Sequence, residues 1–167
     1  MRNIILVGMP SCGKSTAGVI LAKTINTNFV DTDLLIQRKE DMTLQEIINR
    51  YGNEYFFRTE EEVLMNFAGK DCVVATGGSA IYFDKAIEIL KENGTVVYLQ
   101  VSLETVLERL NNIKTRGVTL MKGQTLKSLY EERIPLYEKH ADIVICAEGC
   151  TVEETVERII RKLNEKK

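Results

Sequence analysis

Short apolar runs alternate along this chain with longer stretches whose apolar positions recur every three or four residues. The runs Asn3–Val7 (Asn-Ile-Ile-Leu-Val), Asn28–Asp31, Cys72–Ala75 (Cys-Val-Val-Ala), 95–101 and 142–146 read as strands. The spacing predicts a helix over 15–25, with Ala17, Ile20, Leu21 and Ile25 at helical intervals. Further helices are expected over 34–38, from Thr43 to about Tyr51-Gly52, and over 54–68, where Gly69 can close the last. Asp84–Glu92, 103–110, 125–139 and a final stretch from Thr151 to about Asn164 complete the series, with Pro135 expected to kink or interrupt its helix. Thr43 with Glu46, and Thr151 with Glu154, have the spacing of capping boxes. Segment 111–124 has no period and reads as an unusually long loop, of the kind that serves as a lid or binding loop.

Short apolar strands alternating with helices predict an α/β fold, a parallel sheet covered on both faces. The 167 residues suit one domain, 1–167, and no repeat or linker interrupts them. Hydrophobic residues make up 44% and charged residues 28%, and the net charge is −2. That charge offers no broad basic surface for nucleic acid. The apolar runs are too short to cross a membrane. No signal peptide is read at the N-terminus, so a cytoplasmic setting is expected. The four cysteines, Cys12, Cys72, Cys146 and Cys150, are expected to be free. His140, the sole histidine, is expected to act at a helix C-terminus or on the surface.

The first strand runs into Gly8-Met9-Pro10-Ser11-Cys12-Gly13-Lys14-Ser15-Thr16, which matches the P-loop pattern between a strand and a helix. Glycines let successive amides curl around phosphate, and the following helix adds its positive end. Residues Pro10, Ser11, Cys12, Gly13, Lys14, Ser15 and Thr16 are therefore expected to hold ATP. Lys14 is expected on the β- and γ-phosphates and Ser15 on Mg²⁺. The third strand ends Val74-Ala75-Thr76-Gly77-Gly78, without the carboxylate of motor ATPases and GTPases, and no Asn-Lys-x-Asp occurs. A small-molecule or nucleotide kinase is favoured.

Asp31-Thr32-Asp33 closes the second strand; one carboxylate can serve a metal and the other an acceptor, or Asp33 can cap the helix that follows. Arg58 and Glu61 share a helical face, either as a solvated pair or with the carboxylate orienting the guanidinium.

Together these motifs, with Phe57-Arg58-Thr59-Glu60-Glu61, Gly77-Gly78-Ser79, Arg116 and Arg133-Ile134-Pro135-Leu136-Tyr137, resemble shikimate kinase over almost the whole chain. The resemblance implies a five-stranded parallel sheet in the order 2-3-1-4-5 with a mobile lid over about 111–124. It implies Asp33 on the acceptor hydroxyl and Asp31 at Mg²⁺. Arg58 and Arg133 would bind the substrate carboxylate, with Glu61 fixing Arg58, and Gly77 and Gly78 would line the substrate. Lys14 and Arg116 would meet the transferring phosphoryl group, and Arg109 would stack on adenine. A monomer acting on a small carboxylate is expected. Two positions depart from the family pattern: Ser79 ends the glycine triplet, and Gly117 replaces a lid proline. Alternatives are a kinase for another hydroxy acid such as gluconate, and a nucleotide-binding paralogue without catalysis.

Overall fold

A computed structural model describes residues 2–111, 120–121 and 123–166. Five strands, β1 (Asn3–Val7), β2 (Asn28–Asp31), β3 (Cys72–Ala75), β4 (Gly94–Gln100) and β5 (Ile143–Cys146), form one sheet in the order β2-β3-β1-β4-β5. All pairings are parallel, with Leu6 opposite Ala75 on one side and Val97 on the other. The expected order is the observed one. Every residue of β1 and β3 is buried, as strands covered on both faces must be, whereas the edge strand β5 alternates.

Among the described residues seven helices surround the sheet: α1 (Lys14–Thr24), α2 (Thr32–Glu40), α3 (Leu44–Met65), α4 (Asp84–Glu92), α5 (Leu103–Asn111), α6 (Leu126–His140) and α7 (Val152–Glu165). Both expected capping boxes form, and Thr125 with Ser128 makes a third. The two helices expected on either side of Gly52 are joined as α3, bent where Gly52 takes φ 82, ψ 171. That left-handed backbone suits glycine alone. The helix then stops at Met65, before Gly69, with Asn66 as its C-cap at φ −95, ψ 9.

Helix α2 starts earlier than expected, and its N-cap is Asp31, whose carboxylate accepts from the Asp33 amide. Asp33 therefore lies in the first turn and is not the cap. Pro135 does not interrupt α6: the buried face Leu129, Arg133, Tyr137 and His140 holds the helix through the one missing amide. A 3-10 turn, Ala80–Tyr82, follows β3 and has no counterpart in the sequence pattern.

A main core runs along the sheet, and a smaller one, Ile36, Ile47 and Phe56, seats α2 on α3. Gly8, Asp31 and Thr76 each adjoin the C-terminal end of a strand, so one edge of the sheet gathers the chemistry-bearing residues. At the opposite edge Arg2 donates to the Glu92 carbonyl, just before β4, and Lys166 donates to the Asp142 carbonyl, just before β5. Among the described residues no helix is long and apolar enough to cross a membrane.

Candidate active site

The loop after β1 is built on three left-handed residues, Gly8 (φ 146), Ser11 (φ 64) and Gly13 (φ 104). Gly8 is also sterically fixed: a Cβ there would stand 2.7 Å from the Leu99 carbonyl oxygen and 2.9 Å from Cys12 Sγ. The curled backbone leads into the N-terminus of α1. Lys14 is 8% exposed, and its ammonium donates to the carbonyls of Gly8 at 2.8 Å and Met9 at 2.9 Å. A backbone curled in this way, with a lysine across it, can hold an anion. Arg109, half-buried, donates to the Ser11 carbonyl at 3.2 Å and so stands at the loop's rim.

Ser15 Oγ donates to Asp31 Oδ2 at 2.7 Å, while Asp31 Oδ1 accepts the Asp33 amide at 3.0 Å. One carboxylate thus caps α2 and faces the start of α1. Hydroxyl and carboxylate oxygens suit a hard cation such as Mg²⁺. No group of three His, Cys, Asp or Glu side chains among the described residues could hold a metal ion. Ser15 and Asp31 fit Mg²⁺ only as partners to ligand phosphates, the usual arrangement for that ion.

Beyond Asp31, the loop after β3 completes the pocket. The Gly77 amide donates to Thr32 Oγ1 at 3.3 Å, and Tyr137 donates to the Gly78 carbonyl at 2.6 Å. A Cβ on Gly78 would lie 2.9 Å from both Pro10 Cδ and Arg133 Nη1. The phosphate loop, the glycine pair and Arg133 therefore meet at one backbone position. Arg133 is only 1% exposed. Its Nε donates to Tyr82 Oη at 3.1 Å, its guanidinium lies 5.0 Å from the Tyr82 ring centre, and Tyr82 donates in turn to Glu132 at 2.5 Å. A guanidinium held by its Nε edge and one face is preorganised for a planar anion.

Arg58 is placed differently from expectation. It is exposed on α3, whereas Phe56, Thr59 and Glu60 are buried. Residues two apart lie roughly 200° around a helix, so Arg58 turns away from Glu60 and the pocket. Neither a hydrogen bond nor an ion pair joins it to Glu61. Counted from the inward pair Phe56 and Glu60, the arginine position of Phe-Arg-x-x-Glu holds Phe57. Its ring meets Tyr82 at 6.2 Å and Phe83 at 6.5 Å.

Glu60, Phe57 and Tyr82 are the site residues that the sequence pattern did not single out. Glu60 stands in Phe57-Arg58-Thr59-Glu60-Glu61 at one of the two unspecified positions of Phe-Arg-x-x-Glu. The i, i+4 spacing of Phe56, Glu60 and Leu64 is the signal that could have found it. Ser79 turns its hydroxyl to Glu60 Oε2 at 2.5 Å. Arg116 and Gly117 lie outside the described residues. His140 ends α6 and sits 2.7 Å from Asp84 Oδ1, clear of the pocket.

The family model for shikimate kinase matches residues 10–164. A shikimate kinase from Sulfurihydrogenibium is 41% identical over 166 residues, 98% of each chain. One from Thermodesulfovibrio yellowstonii is 35% identical, over 97% of this chain and 95% of its own. Among solved structures, shikimate kinase from Acinetobacter baumannii in complex with shikimate superposes with TM-score 0.92 at 33% identity, covering 100% of this chain and 95% of that one. A gluconokinase from Sinorhizobium meliloti shares the fold alone, with TM-score 0.54 at 14% identity.

Proposed function

Since the chain belongs to the shikimate kinase family, we propose that it transfers the γ-phosphoryl group of ATP to a hydroxyl of shikimate, giving 3-phosphoshikimate. The observation that carries this reading is the meeting of Pro10, Gly78 and Arg133, which sets an anion-binding guanidinium beside a phosphate cradle. The loop 10–16 holds the triphosphate, with Lys14 balancing charge that builds on the β- and γ-oxygens. Arg109, at the loop's rim, fits a contact with the adenine. Ser15 and Asp31 would hold Mg²⁺ beside the phosphates, and the ion would supply further charge neutralisation. Arg133 takes the shikimate carboxylate, and Gly77 and Gly78 let the ring approach the backbone. Asp33 orients the acceptor hydroxyl and accepts its proton as the new O–P bond forms. Arg116 remains the expected lid cation for the moving phosphoryl group.

In this reading the carboxylate is held by one arginine, not two. Arg58→Ala is expected to leave KM for shikimate within about twofold, as for a solvated surface charge. Steady-state kinetics check it, and a tenfold rise would return Arg58 to the site. The wider reading is a monomeric cytoplasmic enzyme; its four free thiols fit a reducing compartment.

The test is a coupled assay with Mg-ATP and shikimate, in which ADP release depends on both substrates. A folded protein that binds ATP but turns over only at background, or prefers gluconate, overturns the proposal.

A further inference from the structure

Glu60 has no part in the mechanism above, yet it is fully buried against the acceptor side of the site. Its Oε2 accepts the Ser79 hydroxyl, and its Oε1 has no hydrogen-bond partner among the described residues. Oε1 is directed at Gly77. A Cβ on that glycine would stand 2.3 Å from Glu60 Oε1 and 2.9 Å from Asp33 Oδ1. Two carboxyl groups therefore converge on one bare backbone carbon.

The groups facing Glu60 come from every neighbouring element. Asp33 on α2 opposes its ionisation. Ser79 beside the 3-10 turn, Arg133 on α6 and Lys14 on α1 favour it. Burial outweighs them, and the carboxyl is pushed up to about 8. The shift favours its uncharged form.

We infer that Glu60 is a positioning residue for the acceptor: held by Ser79 and aimed at Gly77 beside Asp33, it forms the wall against which an anionic substrate docks. Charged, the same wall would repel the acceptor carboxylate and compete with it for Arg133. Ser79, which breaks the glycine triplet, then has a role: its hydroxyl fixes the acid instead of crowding the substrate. This inference rests on the shikimate reading.

The test is KM for shikimate as a function of pH at saturating Mg-ATP. In the unaltered enzyme KM is expected to rise above about pH 8 and to be roughly tenfold higher one unit further on, the slope of a single proton. KM for ATP should not follow it. Glu60→Gln should abolish the rise. Ser79→Ala should move it to higher pH, because the hydroxyl favours the anion. A flat profile in the unaltered enzyme, or the same rise in Glu60→Gln, overturns the inference. Should Glu60→Gln fail to fold, the Ser79→Ala profile decides alone.

Thermal unfolding supplies a readout without substrate. A carboxyl raised in the folded state contributes stability that is fully present below its unfolded value and lost as pH climbs towards about 8. The Tm of Glu60→Gln relative to the unaltered chain should therefore increase from about pH 5 to about pH 8. An unchanging difference also overturns the inference. Absence of all shikimate turnover instead overturns the functional reading and the docking role with it, while the Tm difference still reports the Glu60 proton.

Discussion

Asp33→Asn is expected to lower kcat by about 10²–10⁴-fold, the range that a positioned general base supplies. The asparagine keeps the size and the acceptor oxygen of the native side chain but cannot take a proton. Asp33 stands in the first turn of α2, with its amide tied to Asp31 and its carboxyl beside Gly77. The substitution leaves Asp31 as the cap of α2 and its bond to Ser15 untouched. KM for ATP should therefore stay near its original value, and single-turnover kinetics should place the loss in the chemical step. A kcat within threefold of the unaltered enzyme would remove Asp33 from the proton's path. An equal loss in Asp31→Asn would not, since that change weakens both a helix cap and a cation ligand.

The second large effect is expected on binding. Arg133→Lys keeps a positive charge in a buried place and so avoids stranding its surroundings without a cation. It loses the planar fork, the Nε bond to Tyr82 and most of the stacking on that ring. Charge-assisted hydrogen bonds of this kind contribute about 1.5–3 kcal/mol each. KM for shikimate is thus expected to rise about 10–100-fold, while KM for ATP changes little. Tyr82→Phe, which removes the Nε acceptor but keeps the ring, should give a smaller rise in the same parameter. An Arg133→Lys enzyme with an unchanged KM would show that the carboxylate is bound elsewhere.

The sheet could be read from the chain because each fully buried strand is a short apolar run, and the helices between them carry their own caps. The phosphate loop, Asp31, Asp33 and Arg133 were legible for a similar reason: each adjoins a regular element or a recognisable neighbour. Helix α3 was harder. Gly52 breaks its geometry, and the helix beyond resumes at a rotation that packing of Phe56 with Ile36 and Ile47 determines. A shift of one residue turns a helix by roughly 100°. It moved Arg58 outward, Phe57 into an aromatic contact and Glu60 into the interior. Tyr82 was illegible because a three-residue 3-10 turn carries too little periodicity to be noticed. The role of Asp31 as cap is a tertiary outcome too, since Asp33 has the same chemistry two residues on.

The anchoring of Arg2 before β4 and of Lys166 before β5 has a practical consequence. Both contacts lie at the edge of the sheet away from Gly8, Asp31 and Gly78. A tether or affinity handle joined at either end would leave from the pole opposite the pocket mouth. Molecules attached to a surface that way would present the substrate entrance outward in a common orientation, and their turnover should match that in solution.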